Sequence, residues 1–158
     1  MVEKVTRDRD YAVTVQDVQE FEDKYGKLHQ NDIVLIKTGF SRYYHLGAKE
    51  YLGFDEHVDG AYDPNTSKLS FPGISKAAAE YFVSCRVSAV GLDTASLDPG
   101  NTKYFDAHRT LLSNDVYGIE NINDQIMALP CTGANILVAP MKLAGGSGSP
   151  ARIFAYYT

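Results

Sequence analysis

Residues 75–92, SKAAAEYFVSCRVSAVGL, decide the fold class of this chain. Ser75 can cap a helix running through Ala77, Ala78, Ala79, Tyr81 and Phe82, because its hydroxyl accepts from backbone N–H groups that a first helical turn leaves unpaired. Residues 87–92, VSAVGL, then make a continuous apolar run of strand length. Helix followed by buried strand predicts an α/β layer structure. The same alternation occurs upstream. Thr14 can cap a helix with Asp17 in its first turn, Val15, Val18, Phe21 and Tyr25 trace its apolar face, and Gly26 closes it. Asp32 leads into Ile33, Val34, Leu35 and Ile36, which read as a strand buried on both faces and ended by Thr38 and Gly39.

Between these two units, residues 40–71 read as a long aromatic and polar connection, with Tyr43, Tyr44, Tyr51 and Phe54 among turn formers; such a length is functional or partly disordered. His45 and His57 lie in it at a spacing that matches no metal motif. Beyond the second strand comes DTASLDPG, residues 93–100, at the strand end where open α/β sheets place ligand contacts. Asp93 and Asp98 are candidates on position, though a pair of turn carboxylates that cap backbone amides is the commoner meaning of such a loop.

Residues 106–124, DAHRTLLSNDVYGIENIND, hold a second candidate pair. His108 and Glu120 are separated by a helix-like run (Ala107, Leu111, Leu112) and a strand-like run (residues 116–119), so two elements can bring them together. Imidazole and carboxylate suit zinc, manganese or iron, but a catalytic zinc takes three protein ligands. A structural histidine bonded to a carboxylate has the same appearance. Residues 135–143 read as a long strand and residues 152–157 as a final one, joined by the glycine-rich GGSGSP of residues 145–150. That segment has no GK[ST] and no following helix, which leaves a tight turn and not a phosphate loop.

The chain of 158 residues reads as a single domain, 1–158, long enough to bury about two thirds of its unfolded surface. Its net charge of -5, with no basic block, opposes nucleic acid and anionic membrane surfaces. The N-terminal residues carry charges where a signal peptide needs an apolar run, no stretch approaches a membrane span, and a cytoplasmic location is expected. Cys85 and Cys131 lie far apart and form no CxxC pair, so free thiols are expected.

Five phrases together resemble the cyclase family of metal-dependent hydrolases, which includes kynurenine formamidases and isatin hydrolases. They are VLIKTGFSRYY (residues 34–44), FPGISKAAAEYF (71–82), AVGLDTASLDPG (89–100), AHRTLL with IEN (107–112 and 119–121) and AGGSGSPARIFA (144–155), in family order from about Tyr11 onward. The resemblance implies an α/β fold with a mixed, barrel-like sheet and flanking helices, assembled as dimers or tetramers. It implies hydrolysis of small amides or lactones with a divalent metal, zinc or manganese, and makes His108 and Glu120 descendants of metal ligands; Asp93 and Asp98 stay candidates for substrate contact or site support from their position after the strand.

The family's principal metal motif, HxGTHxD followed by a catalytic histidine, belongs to an N-terminal portion with no counterpart in this sequence, and His29, His45 and His57 stand in no such pattern. The expectation is therefore a family homologue that is inactive as an isolated chain. Its expected partner is either another copy of itself or a complementary N-terminal polypeptide. The alternative is a working part of a hydrolase whose remaining ligands come from another chain or from a segment outside this sequence.

Overall fold

The computed structural model describes residues 1–54 and 68–157, so His57 lies outside the described residues. The chain forms two compact units, Met1–Met127 and Ala128–Thr158.

In the first unit, helix α1 (Val2–Arg7), strand β1 (Ala12–Val13) and helix α2 (Val15–Tyr25) lead into strand β2 (Ile33–Ile36). A 3-10 helix (Phe40–Leu46), α3 (Ala48–Leu52), β3 (Gly73–Ile74), α4 (Lys76–Ser84), β4 (Ala89–Leu92), α5 (Asp106–Leu112) and β5 (Tyr117–Ile119) follow. The predicted caps are in place. Thr14 and Asp17 form a reciprocal capping box at the start of α2, and the Ser75 hydroxyl accepts from the Ala78 N–H.

Strands β2, β4 and β5 form a parallel sheet in that order, with Ile33 opposite Ala89 and Ala89 opposite Tyr117. Every residue of the central β4 is buried, as its unbroken apolar sequence requires. Helices α4 and α5 bury Ala78, Phe82, Ala107 and Leu111 in the same core as Val90 and Leu92. Each large side chain so buried contributes about 1.5–3 kcal/mol. Because the strands are parallel, the residues that follow β4 and β5 emerge at the same end of the sheet, beyond the carboxyl ends of the strands.

Several expectations change. Strand β2 is half-buried, with only Ile36 fully covered, because β4 is its single neighbour among the described residues. The charged lead and the aromatic connection contain α1, the 3-10 helix and α3. These short helices are fixed by tertiary contacts: Val5 of α1 and Tyr51 of α3 pack with Phe40 and Phe71 in a second apolar cluster. Among the described residues the sheets have two or three strands and none closes on itself, so no barrel-like sheet is present. A closed barrel of useful diameter needs about eight strands with a consistent stagger. The mixed α/β architecture itself is as the sequence predicts.

The second unit is an antiparallel hairpin of β6 (Asn135–Pro140) and β7 (Ala151–Tyr156), with Ile136 opposite Ala155 and Pro140 opposite Ala151. The glycine-rich segment is its connection, and β6 is three residues shorter than the stretch predicted for it. Among the described residues, no helix is long and apolar enough to cross a membrane.

Candidate metal centre

Asp93 directly follows β4 and is fully buried. Its Oδ1 accepts from the Thr38 N–H at 2.8 Å and the Thr38 hydroxyl at 2.7 Å, while Oδ2 accepts from the N–H and hydroxyl of Ser41, each at 3.3 Å. This carboxylate locks the exit of β2 to the exit of β4. With four donors converging on it and no solvent access, Asp93 is a brace within the fold and does not face the candidate pair's nitrogen.

Asp98 is equally hidden but differently employed. Its Oδ1 accepts from the Ala107 N–H at 2.8 Å and its Oδ2 from the His108 N–H at 3.1 Å, so it caps the start of α5. That helix begins at Phe105, a non-glycine residue held at φ 51°, with no side-chain cap of its own. Asp98 Oδ2 also lies 2.6 Å from Nδ1 of His108. The loop carrying Asp98 rests directly on Gly73, where any Cβ would run into the Asp98–Pro99 backbone. Only glycine at position 73 lets the loop sit there.

The other nitrogen of His108, Nε2, lies 3.1 Å from Oε1 of Glu120, which immediately follows β5. Glu120 Oε1 also accepts from the Leu97 N–H at 3.0 Å, in the same loop as Asp98. The next residue, Asn121, adopts a left-handed backbone at φ 54°, its N–H donating to the Thr94 carbonyl at 2.8 Å and its side-chain Oδ1 accepting from the Tyr51 hydroxyl at 3.0 Å. The His108 and Glu120 side chains keep 29% and 33% of their surface, so the pair is reachable from solvent.

Electrostatics follow this geometry. Asp98, and then Glu120, raise the His108 pKa from 6.5 to about 9 against the opposing effect of burial. Burial pushes the Asp98 carboxyl upward, but the His108 ring and the Ala107 and His108 amides outweigh it and hold it below the usual carboxylate value. Burial, then the charge of Asp93, raises the Tyr51 phenol, so its hydroxyl stays protonated and donating.

A carboxylate on one imidazole nitrogen, with the other nitrogen directed at a second carboxylate, suits a divalent ion: Asp98 holds the proton on Nδ1, so that Nε2 can ligate once it gives up its own proton, and Glu120 stands beside it. His108 and Glu120 fit as two ligands of such an ion. Among the described residues, no group of three or more His, Cys, Asp or Glu side chains could hold one. His29 is at the surface beside Asp32, and His45 lies in the 3-10 helix edge-on to Tyr44. The sequence thus brings together His108, Glu120 and Asp98 and leaves Asp93 apart. Asn121 and Tyr51 escape sequence reading: an asparagine after Glu120 signals a left-handed turn, but nothing in the aromatic connection singles out Tyr51.

Comparison with known proteins gives the family of the chain. The family model described as "Putative cyclase" matches residues 1–99. The chain belongs to the cyclase family. That match contains Asp93 and Asp98 and stops before His108 and Glu120. The chain is 26% identical over 153 residues to the isatin hydrolase of Roseibium aggregatum, covering 94% of this chain and 53% of the relative. It is 31% identical over 91 residues to the kynurenine formamidase of Maricaulis maris, covering 58% of this chain and 40% of the relative. Isatin hydrolase A from Ralstonia solanacearum superposes with a TM-score of 0.82 at 28% identity, over 98% of this chain and 56% of that one. The chain therefore spans about half the length of these cyclase-family relatives. Two further structural neighbours, at 24% and 22% identity, share the fold with TM-scores of 0.62 and 0.64.

Proposed function

We propose that this chain contributes the His108–Glu120 pair to the divalent-metal centre of a cyclase-family hydrolase of small amides or lactones, and that the pair works only once further donors join it. Those donors come from a second copy of the chain, from a polypeptide carrying an HxGTHxD segment, or from a segment outside this sequence. Alone, the chain is inactive. The observation that carries this reading is the continuous line Asp98–His108–Glu120, with contacts of 2.6 Å and 3.1 Å on the two ring nitrogens.

The ion, zinc or manganese, would polarise the carbonyl under attack and make a water acidic enough to attack it. The chain's own residues have simpler tasks. Asp98 keeps the Nδ1–H of His108 and turns Nε2 outward. Glu120 offers a carboxylate oxygen already oriented by the Leu97 amide. Asp93 keeps the two strand exits together, so the loop bearing Leu97 and Asp98 has a fixed base.

One observation favours a second, non-catalytic reading in which the chain keeps the fold as an assembly or small-molecule-binding homologue: the absence of a third donor among the described residues. Reconstitution separates the two. Mixed with a polypeptide carrying a family-type HxGTHxD segment and supplied with zinc or manganese, the chain is expected to hydrolyse a formyl-amide or lactone, while the chain alone does not. In that mixture His108→Ala and Glu120→Gln each remove most of the activity, and His29→Ala, at an exposed position, does not. A stable, metal-loaded complex without turnover would leave the non-catalytic reading standing.

A further inference from the structure

Glu120 sits on the last position before the chain turns away from the sheet, and a carboxylate there could point in many directions. Two constraints fix it. Oε1 accepts from the Leu97 amide, and the backbone immediately after it is forced into a left-handed turn at Asn121, a conformation that asparagine tolerates better than most residues. The turn is fastened on both sides: the Asn121 N–H donates to the Thr94 carbonyl at 2.8 Å and the Ile122 N–H to the Leu92 carbonyl at 3.2 Å, both outside the β4–β5 register, which ends with Gly91 opposite Ile119. The Asn121 side chain is held by one further bond, from the Tyr51 hydroxyl at 3.0 Å.

Tyr51 is only 6% exposed and comes from α3, an element remote in sequence from Glu120. Its ring already packs against Phe40 and Tyr44, with centroids 5.9 Å and 5.3 Å away. Packing alone accounts for the ring but not for the hydroxyl, which would be equally well buried as phenylalanine's C–H were it not directed at Asn121. We infer that Tyr51 and Asn121 form a positioning clamp for Glu120, the Tyr51 hydroxyl holding the left-handed turn that directs the Glu120 carboxylate to His108 Nε2. This deepens the metal-centre reading and rests on it for its purpose, though the clamp itself is a property of the metal-free chain.

The test follows the whole chain, three single variants and one double variant by nuclear magnetic resonance. Tyr51→Phe keeps the ring packing and removes only the hydroxyl; Asn121→Gly keeps the positive φ and removes the side-chain acceptor. Both are expected to move the Leu97 amide proton in the direction that Glu120→Ala, which removes its acceptor, moves it, and to speed its exchange about three- to tenfold, as loss of one modest hydrogen bond would. Adding Tyr51→Phe on top of Glu120→Ala should change Leu97 no further. With manganese as the probe, broadening of the His108 and Leu97 signals should need about tenfold more ion in Tyr51→Phe than in the unaltered chain. A Leu97 amide unchanged in both single variants overturns the clamp. Manganese that leaves His108 and Leu97 untouched in the unaltered chain overturns the metal-centre reading instead, and the amide arm still decides the clamp.

Discussion

Two carboxylates five positions apart in one loop, Asp93 and Asp98, are both buried and both fully engaged, yet only one of them serves the candidate centre. Asp93 is closed in by the backbone and hydroxyl groups of Thr38 and Ser41, all groups that do not titrate near neutrality. Asp98 holds two amides of α5 and the ring of a histidine. Burial alone does not separate brace from site. What separates them is the chemistry of the donor: a carboxylate whose partner can change charge or bind an ion passes its influence on, and one whose partners are fixed dipoles does not.

The sharpest way to break this contrast is to remove the brace. Asp93→Ala strands the Thr38 and Ser41 amides without an acceptor, at roughly 1–3 kcal/mol for each buried group, and leaves a small void. A loss of about 3–5 kcal/mol in denaturant unfolding is expected, while the His108 ring in the remaining folded fraction keeps its raised pKa. If the ring instead titrates normally in that variant, the two carboxylates act as one unit and the contrast fails.

Asp98→Asn should cost less stability, about 1–3 kcal/mol, because the amide oxygen can still accept from one N–H group. Its larger effect is on pH dependence. In the unaltered metal-free chain the folded pKa of His108, about 9, stands above the ordinary 6.5, so its stabilisation is complete below about pH 6.5 and is lost as pH rises through 9. Unfolding measured from pH 6 to 10 should show that decline, and Asp98→Asn should flatten it. An unchanged slope would mean that Asp98 does not control the ring.

A smaller change sharpens the comparison from outside. Thr14→Ala removes the hydroxyl that caps α2 and accepts from Asp17 N–H at 3.2 Å, with an expected cost of about 1 kcal/mol. The His108 resonances should not move. Should they move, loss of stability by itself perturbs the ring, and the Asp98→Asn result would need that effect subtracted.

Much of this was legible in the sequence. The caps at Thr14 and Ser75 and the unbroken apolar run of β4 are local signals, and local signals survive into the fold. The convergence of His108 and Glu120 was readable because the elements between them are short, so a helix and a strand return the chain to the same end of the sheet. The division of labour between Asp93 and Asp98 was not readable, since both occupy the same kind of loop and differ only in what the fold brings to them: Thr38 from β2's exit in one case, His108 from α5 in the other. Tyr51 was hidden for the same reason. Helix α1 and the helices after Phe40 were missed because propensity alone does not form them; contacts among Val5, Phe40, Tyr51 and Phe71 do. The barrel-like sheet was an inheritance from the family resemblance and not from any pattern in the strands.

The most direct measurement is a pH titration of the His108 imidazole by carbon and nitrogen resonance in the metal-free chain, repeated with excess zinc. The geometry predicts a ring that loses its proton at about pH 9, keeps the remaining proton on Nδ1, and responds to zinc at Nε2, with zinc affinity climbing as pH approaches 9 because the ion must displace that proton. A ring that titrates near the ordinary 6.5, holds its proton on Nε2 and ignores zinc at every pH would contradict the assignment of Asp98, His108 and Glu120 as the metal-binding end of this chain.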